Sequence, residues 1–480
     1  MTTALTAPPE AGRTPQVRPN AIVAVLAFAG IVVALMQTLV IPIVPDLPRL
    51  LHADAADTVW AVTATLLAAA VATPVVGRLG DMYGKRRMLL VSLSILLAGS
   101  LVCALSSSLV PFILGRALQG LAAGVIPLGI SIMRDELPAD KLGSSTALMS
   151  ASLGIGGAIG LPVAAFVAEN FDWHVLFWAS AVLGALAVAL VPALVPESPR
   201  RTGGHFDLVG ALGLSAALAA LLLAVSKGGS WGWSSGTTLG LFAAAVVVFA
   251  AWGFWELRAG QPLVDLRTTA RPQVLFTNLA ALAFGFSMFA IQLIVPQLIQ
   301  LPAQSGYGLG RSLLTVGLVL APQGLIVMAV APLSAKISGA LGPKITPMIG
   351  AVTVAAGYGL NLLLMSEIWH LVLVSCIIGA GIGFAYGALP LLVMGGVPLS
   401  ETAAANALNT LVRSIGGSVA SAVAGVILAQ LTISLGGHTL PSENAFKIIM
   451  AFGAGAALIA LLLAAFLPQR QPAATVTTSH

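Results

Sequence analysis

The sequence predicts an all-α integral membrane protein of fourteen transmembrane helices, built as two pseudo-symmetric six-helix bundles with two helices inserted between them. Three observations carry this: a composition too apolar for a water-facing surface, apolar runs of membrane-spanning length, and an internal repeat. Of 480 residues, 58% are hydrophobic and 8% charged, where a soluble domain carries roughly a quarter charged residues. A helix needs about 20 mostly apolar residues to cross the hydrocarbon core. Runs of that kind lie at 21–44, 58–80, 88–107, 109–133, 144–169 and 173–194, then at 207–226 and 236–255, then at 272–301, 312–334, 345–366, 368–398, 402–432 and 443–467.

The chain therefore divides into a disordered cytoplasmic tail (1–20), an N-terminal six-helix bundle (21–200), two inserted linker helices (201–260), a C-terminal six-helix bundle (261–467) and a second cytoplasmic tail (468–480). The first twenty residues are polar and proline-rich, with no apolar signal-peptide core, so the first run is expected to act as an uncleaved anchor. Basic residues set the orientation. With the N-terminus in the cytoplasm, only Arg49, Lys227, Arg311 and Lys447 of the 22 Lys and Arg fall outside, and Arg116 and Arg413 lie within spans. The remainder, Arg13, Arg18, Arg200 and Arg470 among them, fall inside, which satisfies the positive-inside rule. Both termini are then cytoplasmic and the protein is a multi-pass component of the cell membrane.

The repeat is read at an offset of 258 to 260 residues. TPVVGRLGDMYGKR (73–86) aligns with APLSAKISGALGPK (331–344), GLAAG (120–124) with GAGIG (379–383), and ALMSASLGIGG (147–157) with ALNTLVRSIGG (407–417). In the first pair, Gly339 stands where Asp81 would be. Parallel six-span halves with a site between them near the midplane are a transporter architecture.

Several chemistries are excluded. A net charge of +5 with no soluble basic domain argues against nucleic acid as a partner. Cys103 and Cys376 sit singly in apolar runs, so neither a disulfide nor a metal site is expected. Residues 80–86 have one residue too few between their glycines for a phosphate-binding loop, and Arg86 replaces its hydroxyl residue. Ile159 occupies the last glycine position of a dinucleotide fingerprint. No catalytic cluster lies in the spans, so an enzyme is not expected. No cofactor is expected either, and with no ATP site an ion gradient must supply the energy.

GRLGDMYGKRR (77–87), LGRALQGLAAG (114–124), GIGGAIGLP (154–162) and WELRAGQPLVDLR (255–267) together resemble the major facilitator superfamily, and more narrowly its fourteen-span drug:proton antiporter branch. The resemblance covers nearly the whole chain outside the tails and implies the major facilitator fold. It implies a cytoplasmic gate at Gly77, Arg78, Asp81, Gly84 and Arg86, in which Asp81 latches the halves shut against the start of the thirteenth helix near residues 400–402. The bland alternative is an orientation signal alone, which leaves Asp81 and the glycines unexplained. It implies coupling residues at Arg116, Gln119 and Gly120; the alternative for Arg116 is a structural arginine bonded to backbone carbonyls. It implies an antiporter motif at Gly154, Gly156, Gly157, Gly160 and Pro162. Two departures stand out. Leu161 separates Gly160 from Pro162, and Ala164 and Ala165 replace a glycine pair. Met36 stands where the branch commonly carries an acid in its first helix.

Polar side chains within apolar spans are costly and are functional candidates. Gln37, Thr38, Gln292, Gln297, Asn406, Asn409 and Arg413 are the candidates for a substrate cavity, with Arg413 either lining it or bridging helices. No Asp or Glu lies deep in a span, while two arginines do. A cation exporter needs a buried carboxylate, so neutral or anionic amphipathic substrates are expected. The function so predicted is proton-driven export of an antibiotic, drug or secondary metabolite by a monomer, with a small molecule, protons and the lipid bilayer as partners. Uptake or facilitated permeation of a metabolite is the alternative.

Overall fold

The computed structural model describes residues 19–58, 60–197, 201–435 and 438–468. The expected tails lie outside the described residues, save Pro19, Asn20 and Pro468, and so do Arg13, Arg18, Arg200 and Arg470. The chain is a bundle of long helices: α1 (Pro19–Thr38), α2 (Trp60–Tyr83), α3 (Lys85–Leu105), α4 (Leu109–Leu121 and Val125–Glu136, joined by a tight turn at Ala122–Gly124), α5 (Ala139–Asn170) and α6 (His174–Leu194). There follow α7 (Leu208–Trp231), α8 (Gly236–Glu256), α9 (Pro272–Gln300), α10 (Leu313–Leu341), α11 (Ile345–Asn361), α12 (Ile368–Gly395), α13 (Thr402–Gln430) and α14 (Glu443–Ala465).

Among the described residues, thirteen helices are long and apolar enough to cross a membrane. The expected span at 345–366 is the exception. Its helix, α11, has 17 residues, about 25 Å at 1.5 Å per residue. The chain leaves helical geometry after Asn361 and turns so that Glu367 caps α12 in a reciprocal capping box with His370. A second difference follows α13. The span expected to reach 432 stops at Gln430, and β1 (Thr432–Leu435) pairs antiparallel with β2 (His438–Pro441).

Hydroxyl and carboxylate caps start the inserted and later helices: Asp207 accepts from Gly210, Ser235 from Thr238, Ser312 from Thr315 and Ser442 from Ala445. Each satisfies an amide that would otherwise be orphaned at a helix start. Gly84 and Gly342 turn the chain into α3 and out of α10 with φ of 114° and 92°, a conformation that favours glycine. The two repeat copies share this turn.

Apolar burial is organised in separate cores. One draws on α1 to α6, including Leu26, Leu89, Phe112 and Phe177, and reaches across to Met394 and Ala403. A second draws on α9 to α14, including Phe284, Val354, Ile378 and Phe446. Ala147 and Ala151 of α5 join Val327 and Ala331 of α10 between them. The inserted helix α7 lies against both halves: Leu214 and Leu218 share a core with Ala70 of α2 and Leu411 of α13. Near its far end Lys227 sits 4.8 Å from the Trp60 ring, and Trp233 packs on Gly228 and near Gly425 of α13. Helix α8 is mostly exposed, with Val246, Val247 and Phe254 on its outer side.

Candidate functional site

The richest polar cluster lies where α2 meets α3, on the face of the bundle that carries residues 77–87; it is called the basic face below. Asp81 is fully buried and points across to the other half. Its two oxygens accept hydrogen bonds from the amides of Ala403 (3.3 Å) and Ala404 (2.8 Å), in the first turn of α13. A helix N-terminus carries unpaired amides and the positive end of the dipole, so a carboxylate is favoured there. The approach depends on glycine: a methyl group on Gly77 would strike Ala403 and Ala407, and one on Gly80 would strike Leu128.

Lys85 adds the counter-charge. Its ammonium lies 3.8 Å from Asp81 and donates to Asp135 of α4 at 2.7 Å and to the Thr402 hydroxyl at 3.0 Å. Thr402 in turn meets the Ser131 hydroxyl. Arg134 donates to the Met394 carbonyl at 2.5 Å. The first half thus holds both the end of α12 and the start of α13. Arg86 turns away, donating to the Pro192 carbonyl at 2.8 Å, and so ties α3 to α6. Arg78 is half-buried and lines a cavity of about 570 Å³ with Arg201, Gln261, Asp265, Ser400 and Glu401.

Arg116 is 1% exposed and lies inside the first half. Its guanidinium donates to the Met36 carbonyl (2.8 Å), the Ala61 carbonyl (3.2 Å) and the Gln119 side chain (2.6 Å). Gln119 passes the network to Ser100 at 3.0 Å. Gly120 lets α4 close onto the Thr65 carbonyl of α2. Met36 therefore meets Arg116 through its backbone oxygen rather than through a side-chain acid.

The glycines of α5 serve two contacts. Gly156 and Gly160 bear on Ala34, Leu35 and Thr38 of α1, while Gly154 bears on Gly324 and Val327 of α10 and Pro162 on Gly317. Small residues allow such close backbone approach. Gly157 faces open space, so nothing in the structure explains a glycine there.

The family model described as Major Facilitator Superfamily matches residues 26–421. This chain belongs to the Major Facilitator Superfamily. Among the relatives it resembles are the tetracenomycin C resistance and export protein of Streptomyces glaucescens (27% identity, 86% of this chain and 76% of the relative) and multidrug resistance protein 3 of Bacillus subtilis (25%, 77% and 72%). It also resembles the uncharacterized MFS-type transporter Rv1877 of Mycobacterium tuberculosis (28% identity over 86% of this chain). The chain spans 60% of the length of that relative. The solved structures it is similar to include the human organic anion transporter MFSD10 (TM-score 0.63, 15% identity, 94% of this chain and 100% of the other). A second is the proton:xylose symporter XylE (TM-score 0.65, 16% identity, 94% and 96%). These likenesses establish the fold.

The remaining expected residues of this superfamily member make the following contacts. Thr38 donates to the Leu35 and Gly156 carbonyls, at the α1–α5 contact. Asn406 donates to Thr402 within α13. Asn409 donates to the Asn278 side chain at 2.9 Å and joins α13 to α9. The Arg413 guanidinium lies 4.3 Å from the centre of the Tyr386 ring, a buried cation–π contact between α13 and α12. Gln37 and Gln297 are half-buried and Gln292 exposed. Sequence reasoning missed the role of Lys85, which it used only for orientation, and missed Asp135 and Ser131 altogether. The signal available was Asp135 directly after Arg134 at the end of an apolar run, four residues from Ser131.

Proposed function

We propose that the protein is a proton-gradient-driven secondary exporter of small amphipathic compounds, neutral or anionic, working by alternating access. The cargo class is an antibiotic, drug or secondary metabolite. The observation that supports this reading is the buried contact of Asp81 and Lys85 with the first turn of α13, a charged junction between the two halves on the basic face that is suited to a gate. Relatives named for multidrug resistance and for export support the outward direction. The arginines Arg116 and Arg413, buried in spans that offer no carboxylate beside them, support an anionic or neutral cargo. In this reading residues 77–86 form the cytoplasmic gate, Arg116, Gln119 and Gly120 couple it to transport, and the basic face is cytoplasmic in the cell membrane. The division into bundles at 21–200 and 261–467 with a linker at 201–260, and a monomeric state, belong to the same proposal.

The test is deletion and overexpression followed by a compound-sensitivity panel, with uptake measured in inverted membrane vesicles under an imposed proton gradient. Export predicts hypersensitivity on deletion and gradient-dependent uptake into the vesicles. Import into cells, or a quaternary ammonium dye as the best substrate, overturns the reading.

A further inference from the structure

Two carboxylates lie together at the basic-face ends of α7 and α8, outside the gate and outside the arginine networks. Asp207 caps α7, with Oδ1 accepting from Gly210 at 2.8 Å. The indole N–H of Trp255 is shared between both Asp207 oxygens at 3.1 Å. Glu256 closes α8 and is 3% exposed. Its Oε2 accepts from the Val264 amide at 3.4 Å, and its Oε1 has no hydrogen-bond partner. Both acids crowd one spot: a methyl group on Gly210 would strike Oδ2 of Asp207 and Oε1 of Glu256.

No described cation forms an ion pair with either acid. Neighbouring charges are engaged elsewhere. Arg258 lies 3.8 Å from the Phe254 ring, and Arg267 donates to the Leu257 carbonyl at 3.2 Å. Asp265 caps the turn at Leu266–Thr269, exposed His205 engages Gln261 through its backbone amide, and Arg78 and Arg201 line the adjoining cavity. The faces of α2 and α13 in this core are apolar, through Leu67, Ala70, Val75, Leu408, Leu411 and Ile415. A carboxyl group buried beside a second acid favours its neutral form, because burial and like charge each disfavour the charged one.

We propose that Asp207 and Glu256 form a proton-binding site that holds one proton between Oε1 and Oδ2, and that this proton keeps the 257–268 segment docked across α2 and α13. The orphan oxygen of Glu256 then carries the proton and donates to Asp207. Oε2 stays on the Val264 amide. Leu263 and Val264 remain in the core they share with Ala70 and Leu411. Loss of the proton to water sets two negative charges against each other. Glu256 then turns outward, and the anchor of Val264 goes with it. That the proton comes from the cytoplasm rests on the orientation proposed above; the site itself does not.

The test uses the full chain in lipid nanodiscs. A pH-difference infrared spectrum of the wild type should contain a protonated-carboxyl band that titrates with pH. Glu256→Gln should remove it, and Asp207→Asn should lower its midpoint by about one pH unit, since the like charge is gone. Hydrogen exchange of the 257–268 peptide, corrected for intrinsic pH dependence, should rise about tenfold or more through the same midpoint in wild type. It should stay slow throughout in Glu256→Gln. Absence of the band, or an exchange profile in Glu256→Gln that follows the wild type, overturns the proposal. If Glu256→Gln does not fold, Asp207→Asn decides alone: an unshifted band overturns it. A sensitivity panel run in parallel separates the readings, because a chain that exports nothing yet keeps the titrating band refutes only the exporter.

Discussion

Asp81 and Ala404 are 323 residues apart in the chain, yet the carboxylate of one accepts a 2.8 Å hydrogen bond from the amide of the other. The bond crosses from the first half of the molecule to the second at the start of a transmembrane helix. It makes the α2–α3 turn a structural junction.

Asp81→Asn tests that junction. The variant keeps an acceptor oxygen but loses the charge that favours a helix N-terminus, an effect of up to about 2 kcal/mol in partly buried geometry. A change of one to two kcal/mol shifts a two-state equilibrium roughly 5- to 30-fold. Resistance or vesicle transport should fall by about that factor while immunoblots of the membrane fraction stay unchanged. Normal transport by this variant refutes the latch.

Lys85 and Asp135 should behave as a coupled pair. Removing one partner of a buried ion pair leaves an uncompensated charge and costs roughly 3–5 kcal/mol. Lys85→Met and Asp135→Asn should each lower the unfolding temperature of the purified protein markedly. The double variant should recover much of the loss, and additive losses would show that the two do not interact.

The glycines of α5 give an internal control. Gly156→Val places a branched side chain against the backbone of α1 and should abolish folding or transport. Gly157→Ala meets open space and should fall within about 0.5 kcal/mol of wild type, as surface changes do. Thermal shift and transport on the two variants check this; equal damage would mean that Gly157 contacts something in another state of the cycle.

Charge selectivity should follow Arg413. Arg413→Gln removes the cation from the Tyr386 ring while keeping a polar side chain. Vesicle uptake of an anionic substrate should drop several-fold more than that of a neutral analogue. Equal losses would assign Arg413 to bridging α12 and α13 alone.

The 257–268 segment should also have an acid limit. Burial pushes the Asp265 carboxyl up, but hydrogen bonds from the Thr268 hydroxyl and the amides of Thr268 and Arg267, with the Arg267 charge, hold it below the usual carboxylate range. A folded-state value below the unfolded one contributes stability above the unfolded value of about 3.9 and loses it as pH falls through the folded one. Exchange of the Arg267 and Thr268 amides, corrected for intrinsic rate, should rise on acidification there, and Asp265→Asn should show the raised exchange at neutral pH.

Hydropathy was enough to read most of this fold, because a bilayer asks for length and apolarity and the sequence supplies both in thirteen long helices. The partner of Asp81 is expected near residues 400–402 from the family resemblance of the loop, not from hydropathy; in the structure the amides of Ala403 and Ala404 donate to it. The failures share a cause. Helices that are apolar all round have no polar stripe to say which face meets which neighbour. Asn409 and Asn278, Arg413 and Tyr386, and Lys85 and Asp135 find each other only through packing between elements distant in sequence. The early end of α11 and the β1–β2 hairpin escaped because a capping box and a cross-strand register lie below the resolution of a hydropathy count.

The repeat copy of the 77–87 loop has Gly339 where the first copy has Asp81, and a methyl group on Gly339 would meet open space. Among the described residues, the carboxylate-to-helix-end contact of Asp81 therefore has no counterpart at the repeat position. In the alternating-access reading proposed above, the two facing states are then not energetic mirror images: one is held by a carboxylate on a helix end, and the other is held by something else. A carrier built this way has a parked position. Whatever it moves must supply, through its own binding, the free energy that lifts the bundle out of that position. Tight binding that favours neither state would leave it parked.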